Sequence, residues 1–285
     1  MDVTLRPLLQ SDAAESGQVL FDAFRSLADQ HRFPRDFPSP EVGAGVTGML
    51  IGHPGFYGVA AEDNGRIVGS NFMDERSAVR GIGPISVDPT TQNSGVGRRL
   101  MQDVLDRGTS VGAPGIRLLQ AAYHNRSLCL YTRLGFQTRE PMSVVQGDPL
   151  GQSFPGYLVR PAGKDDTSAC NALCRDIHGI DRAGEVRDAI GQGAAMVVEH
   201  LGAISGYTTL VGFFGHSVAR TNRDLMALIG AAPAFPGPGF IVPTRNHEIF
   251  AWCLANRMKL VMQMTLMTIG LYNEPAGAYL PSVLY

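Results

Sequence analysis

One run of sixteen residues, Ile85-Ser86-Val87-Asp88-Pro89-Thr90-Thr91-Gln92-Asn93-Ser94-Gly95-Val96-Gly97-Arg98-Arg99-Leu100, has the make-up of an anion cradle. An apolar strand ends at Val87, Asp88-Pro89 turns the chain, and a polar loop opens a helix through two glycines. Glycine lets the backbone approach a ligand closely, and a helix N-terminus presents N–H groups that lack intrahelical partners. Arg98 and Arg99 add positive charge at the same end. The chemistry this suits is holding a pyrophosphate on backbone N–H groups and arginine, without a metal. It is not a nucleotide P-loop, because no Gly-Lys-Ser/Thr follows, nor a dinucleotide fingerprint, which needs three spaced glycines directly after the strand.

About 30 residues further on comes Asn125-Arg126-Ser127-Leu128-Cys129-Leu130-Tyr131-Thr132-Arg133-Leu134-Gly135-Phe136. With both segments in this order and spacing, the chain resembles the GNAT superfamily, the Gcn5-related N-acetyltransferases. The V-x-P-x-x-Q/R-x-x-G-x-G/A signature stands from Val87 to Gly97, and the N-x-x-(A/S)-x-x-L-Y-x-x-x-G-F signature, with small offsets, from Asn125 to Phe136. The resemblance implies acetyl-CoA as co-substrate and direct transfer of acetyl to an amine through a tetrahedral intermediate. It implies that backbone N–H groups at Asn93, Ser94, Gly95, Val96, Gly97 and Arg98, behind Gln92, hold the pyrophosphate. The strand edge at Ile85 and Val87 would pair with the pantetheine amides, and the Val87 N–H would polarise the thioester carbonyl. Tyr131 would protonate the departing thiolate. Asn125 would fix the pantetheine arm, and Arg126 would meet the adenosine phosphate.

The general base is not evident. The family often places a Glu on its fourth strand, but residues 81–87 carry no acid or His. Asp74, Glu75, His124, a water, or the terminal carboxylate of Tyr285 are the candidates. That departure also supports a rival from another class, a non-catalytic acyl-CoA sensor that kept the cradle and lost the base.

The elements that must position these groups read as an α+β chain in two copies. Leu5-Arg6-Pro7 with Ser11-Asp12 is echoed by Val159-Arg160-Pro161 with Asp165-Asp166. Glu62 to Gly69 is echoed by Glu199 to Gly206, and Asn125 through Tyr131 by Asn246 through Trp252. The expectation is two GNAT-like domains, each a mixed, largely antiparallel sheet flanked by helices. The first, 1–148, is catalytic; the second, 154–285, is degenerate. In the first, a strand near 3–7 precedes a helix from Ser11 to about Phe24, and residues 33–55 form a mobile Pro/Gly-rich connector with a short helix. A hairpin, a fourth strand at about 83–87, the helix after Gly95, a strand at 116–121, the Asn125 helix and a last strand from Phe136 follow.

The second copy has Gly212-Phe213-Phe214-Gly215-His216-Ser217-Val218-Ala219-Arg220 where the glycine loop would stand, so it is expected not to bind CoA. Three other signals are discounted. Gly215-His216-Ser217-Val218-Ala219 imitates a hydrolase elbow but lacks its last glycine. Cys170, Cys174 and His178 share a helical stripe without a fourth metal ligand. Gly43-Ala44-Gly45-Val46-Thr47-Gly48 matches G-x-G-x-x-G by letter alone, with no strand before it.

Composition bounds the rest. The chain has 285 residues, 44% hydrophobic and 18% charged, with a formal net charge of −2. Nothing favours nucleic acid or an anionic membrane surface. Only Lys164 and Lys259 are lysines, so phosphates fall to arginine or backbone. The N-terminus does not read as a signal peptide, and four cysteines do not make a disulfide scaffold. A cytoplasmic protein acting on a small-molecule amine, with homodimerisation open, is the expectation.

Overall fold

A computed structural model describes residues 3–284. The first half runs β1 (Val3–Pro7), α1 (Ala13–His31), α2 (Pro40–Gly52), β2 (Phe56–Asp63), β3 (Arg66–Asp74), β4 (Arg80–Ile82), β5 (Ser86–Val87), α3 (Val96–Ser110), β6 (Gly115–Ala121), α4 (Asn125–Arg133) and β7 (Gln137–Gln146). The second half continues with β8 (Tyr157–Pro161), α5 (Thr167–His178), α6 (Ala183–Gly191), β9 (Met196–His200), β10 (Ala203–Thr208) and β11 (Ser217–Ala219). It ends with α7 (Asn222–Ala231), β12 (Phe240–Pro243), α8 (His247–Ala255), β13 (Lys259–Gly270) and β14 (Ala278–Leu280).

Nine strands make one sheet in the order β1-β2-β3-β4-β6-β13-β7-β12, with β5 paired to β3; five make the other, β14-β11-β10-β9-β8. The larger sheet contains an exchange. β13, from the second half, lies between β6 and β7 of the first and pairs antiparallel with both. β7, from the first half, lies in turn between β13 and β12 of the second. A strand inside a sheet covered on both faces reads as a continuous apolar run. This is the physical reason that residues 260–269 are the most apolar stretch of the sequence, with Met262, Met264, Leu266 and Met267 buried.

The echoed residues build the same local structure twice. Arg6 reaches Asp12 (Nη1–Oδ2 2.6 Å) and Glu62 (Nε–Oε2 2.6 Å), while Arg160 reaches Asp166 (2.7 Å) and Glu199 (Nε–Oε1 2.8 Å). The Asp of each set also accepts from a backbone N–H at 2.7 Å, Leu9 in one and Gly163 in the other. Both hairpins turn through two positive-φ residues, Asn64-Gly65 (52°, 79°) and Leu201-Gly202 (52°, 78°). That geometry matches the twist of paired strands.

Three sequence expectations change. α1 runs on past Phe24 to His31. Residues 33–55 are not a loose connector: α2 is a thirteen-residue helix lying against α1. Its glycines are contact points. A Cβ at Gly43 would stand 2.5 Å from the Gly17 carbonyl oxygen, and one at Gly17 would stand 2.3 Å from the Ala44 backbone. The fourth strand is two pieces, β4 and β5, broken at Gly83-Pro84.

Candidate active site

β4 and β6 run parallel and pair only at Arg80↔Ile116 and Gly81↔Arg117. Beyond Gly81 the chain leaves β6, and β5 pairs instead with β3 alone, at Gly69↔Val87 and Ser70↔Ser86. The sheet therefore opens into a wedge, and a cavity of about 840 Å³ fills it, with residues 82–87 on one wall and 118–121 on the other. A buried chain of hydroxyls holds β5 in place: Ser16 donates to Ser70 (3.0 Å), and Ser70 meets Ser86 (3.1 Å). The Asp88 N–H donates to the Val68 oxygen at 2.9 Å. Neighbouring N–H groups on a strand point to opposite edges, so the Val87 N–H faces away from β3, into the wedge.

After β5, Asp88 closes the turn. Its Oδ1 accepts from the Thr90 N–H (2.8 Å) and hydroxyl (2.7 Å), and its carbonyl accepts from Thr91 (2.9 Å). Asn93 (φ 69°) and Gly95 (φ 89°) then take left-handed backbone and deliver the chain into α3. No side chain caps this helix, and its first turn carries no acid, so its leading N–H groups stay available beside the cavity. Arg98 lines the cavity, whereas Arg99 is spent on the Val3 carbonyl at 2.5 Å.

The facing side comes from α4 and the turn before it. Tyr131 is buried, edge-on to Phe136 with centroids 6.0 Å apart, and lines the cavity. Burial pushes its phenol above the ordinary value, so it keeps its proton at neutral pH. Asn125, Arg126 and Arg133 are exposed and line the same cavity. Arg133 was absent from the sequence reading, although its spacing of seven from Arg126 puts both on one helix face. Cys129, also on the wall, is the exposed cysteine of four free ones; Cys170, Cys174 and Cys253 are buried.

The structure separates the base candidates. Asp74 and Glu75 do not line the cavity. Asp74 is buried against Arg76 (2.6 Å), its carboxyl held above the usual value by burial. Glu75 is clamped by Arg107 (2.8 and 3.0 Å), which lowers its value. Both are structural ion pairs. His124 does line the cavity, and burial with nearby Arg126 and His31 depresses its imidazole to about 4, so it is neutral at pH 7. Tyr285 lies outside the described residues. The sequence reading missed Asp36, in the α1–α2 connection, which also lines the cavity. Burial raises its carboxyl to about 6, and its Oδ1 has no hydrogen-bond partner among the described residues. The second half closes the cavity with Phe213, Phe214, Met262, Met264 and residues 283–284.

In the second half, the segment from Gly212 to Arg220 is not the loop's counterpart. Most of it precedes or forms β11, and only Arg220-Thr221 separates β11 from α7. α7 is closed by its own side chains: Thr221 accepts from the Asp224 N–H, and Asp224 accepts from the Thr221 N–H at 3.0 Å. The cap puts an acid in the first turn, where an anion would otherwise sit. Asn246 caps α8 by accepting from Ile249, whereas its echo Asn125 lies free on the cavity wall. Ser217 is fully buried and donates to Thr208 (2.8 Å), and His216 turns to Tyr207 (2.9 Å) and Glu185 (3.1 Å). No hydrolytic arrangement forms around Ser217. Cys170, Cys174 and His178 are packed in the core beside α5's neighbours.

A mixed sheet wedged open between two parallel strands, with an uncapped glycine loop and a helix at its mouth, encloses a cavity that exposed arginines also line. Residues 54–138 match the acetyltransferase (GNAT) domain family; the chain carries this domain and is an enzyme of the acyltransferase class. A curated relative, the IAA acetyltransferase of Azospirillum brasilense, is 26% identical over 104 residues, 36% of this chain and 68% of that protein. Two solved structures share the fold over almost the whole chain. A Pyrococcus horikoshii protein assigned to the acetyltransferases has a TM-score of 0.75 at 17% identity, covering 97% of this chain and 94% of its own. The tandem GNAT protein of the clavulanic acid biosynthesis pathway has a TM-score of 0.56 at 14% identity, covering 94% and 98%. No helix among the described residues is long and apolar enough to cross a membrane.

Proposed function

We propose that the protein transfers acetyl from acetyl-CoA to a small-molecule amine by direct attack, with residues 1–148 carrying catalysis and 154–285 forming a copy that binds no CoA. The observation that carries this reading is the contrast between the two helix N-termini: α3 is uncapped, free of acid and open to the cavity, while α7 is capped by Thr221 and Asp224. The N–H groups at Asn93, Ser94, Gly95, Val96, Gly97 and Arg98, behind Gln92, hold the pyrophosphate. Arg98, Arg126 and Arg133, which form no ion pair with the described residues, supply counter-charge for the phosphates. The edge at Ile85 and Val87 pairs with the pantetheine amides, and Asn125 steadies that arm.

The Val87 N–H then stands where the thioester oxygen becomes negative, an oxyanion-hole role. Tyr131, kept protonated by burial, donates to the departing thiolate. Four free thiols suit a reducing cytoplasm. The deciding experiment is calorimetric titration with acetyl-CoA. One site per chain is expected; two sites would overturn the degenerate second copy, and none would overturn the transfer reading. A sensor would bind identically, but would release no CoA in the presence of any amine.

A further inference from the structure

The acceptor side of the cavity carries an incomplete polar group. Asp36 stands on its wall in the short connection between α1 and α2, and its Oδ1 is buried without a hydrogen-bond partner among the described residues. No arginine, lysine or histidine of the described chain forms an ion pair with it, whereas most other Asp and Glu side chains are paired in this way or hydrogen-bonded. A buried carboxylate is costly unless a cation or donor completes it. Oδ1 is therefore open to a donor or cation from a bound molecule.

Aromatic rings pack beside it. Phe33 stacks on Tyr123 with centroids 4.1 Å apart, His31 lies 5.2 Å from the same ring, and Phe24 meets Phe37 edge-on at 5.3 Å. These contacts hold residues 31–37 in one shape. Phe213, Phe214, Met262 and Met264, none of them charged, also line the cavity, and Phe33 and Tyr123 pack against the core cluster that holds Phe213, Met262 and Met264. The arginines that line the cavity, Arg98, Arg126 and Arg133, belong to α3 and α4, where the phosphates are proposed to lie.

We propose that Asp36 anchors and deprotonates the acceptor, and that the acceptor is a primary amine on an apolar, aromatic-sized body. The inference rests on the acetyl-transfer reading above. The amine arrives as R–NH3⁺ and gives its first proton to the Asp36 carboxylate, which passes it to solvent. The freed lone pair forms the N–C bond to the thioester carbonyl, and the C–S bond then breaks. Tyr131 protonates the sulfur and is restored by the second proton of the nitrogen. The sum is R–NH3⁺ plus acetyl-CoA giving the N-acetyl amide, CoA thiol and one proton. An aromatic ring beside the ammonium adds cation–π attraction. Tyr123, in the turn before α4, is the titratable group that interacts with Asp36; His31 at the end of α1 and His124 line the same cavity, and the adjacent Arg35 pairs with Asp29 instead. Among the described residues the second half contributes no titratable group to the cavity lining.

The test uses 2-phenylethylamine as probe and glutamate as the oppositely charged comparison, with amide quantified by chromatography. Wild type is expected to convert phenylethylamine in preference to glutamate, with kcat/KM rising through an acid limb near pH 6. Asp36→Asn is expected to lower kcat/KM at pH 7 by about 100-fold and to erase that limb, with acetyl-CoA affinity unchanged. Asp36→Glu, which keeps the carboxylate on a longer stem, is expected to recover part of the rate and the limb, and keeps the test intact should the Asn variant misfold. A wild type that binds acetyl-CoA but leaves phenylethylamine unconverted overturns the inference, as does an Asn variant with an unaltered pH profile. Failure of wild type to bind acetyl-CoA falls on the transfer reading itself and takes this inference with it.

Discussion

Gly81 allows the most direct numerical test of how the wedge is closed. It sits where β4 last pairs with β6, opposite Arg117, and a Cβ built on it would stand 1.6 Å from the Leu284 carbonyl oxygen. Real Cβ atoms essentially never approach closer than 3.0 Å, so Gly81→Ala must drive residues 282–284 back by roughly 1.4 Å. That segment is pinned by the Val283 N–H to the Phe213 oxygen (2.8 Å), and Leu284 is buried with Leu50 and Phe72. Losing the burial of one leucine costs about 2 kcal/mol, or a fall in Tm of about 4–8 °C for a chain of this size. Propensity alone points the other way, since Ala is mildly preferred to Gly within a strand. The assay is thermal unfolding of Gly81→Ala in the full chain and in a chain lacking residues 282–285. If the clash is the cause, the substitution costs less than about 0.5 kcal/mol once its partner is removed. An equal penalty in both backgrounds would refute the reasoning.

Tyr131→Phe should lower kcat by about 100-fold with acetyl-CoA affinity within twofold, because the hydroxyl acts only as the thiolate leaves; a parallel loss of affinity would make it a binding group instead. Cys129, on the cavity wall, should be the first thiol alkylated by iodoacetamide, and saturating acetyl-CoA should slow that reaction at least tenfold; unchanged labelling would place the co-substrate elsewhere. Asp36 also predicts a pH-dependent stability difference. Its folded value of about 6 lies above the ordinary 3.8, so its ionisation penalises the fold fully above pH 6 and not at all below about 4. Asp36→Asn should therefore stabilise the protein by about 3 kcal/mol at pH 8 and leave it unchanged at pH 4, read by thermal unfolding at the two pH values.

The parts of the candidate site most legible in the sequence are those proposed to act through the backbone. Gly95 and the helix start after it are visible because a left-handed residue and an uncapped N-terminus restrict the residue types allowed there. Tyr131 is visible through its spacing from Asn125. Asp36 was not, because an acid in a Pro-rich segment has no periodicity. It stands in the connection between α1 and α2, whose close contact at Gly17 and Gly43 the letters suggest no more than they suggest looseness. Arg99 looked equivalent to Arg98 until the fold gave it the Val3 carbonyl. The two-copy pattern was readable through Arg6 and Arg160, whose partners sit at matching distances, but the pairing of β13 with β6 joins residues some 150 apart and left only a long apolar run as its trace.

That exchange explains why a second copy without an anion loop is still built to the same plan. β13 supplies the strand between β6 and β7, and two of its side chains, Met262 and Met264, are at once core residues and cavity wall. The loop after β10 brings Phe213 and Phe214 to the same cavity, and the Phe213 carbonyl holds Val283 there. The second half carries the Thr221–Asp224 cap at the start of α7, while Met262 and Met264 of β13 remain constrained by the sheet that strand completes. Met262 and Met264 thus tie one wall of the cavity, where the amine is proposed to sit, to the close packing of the core.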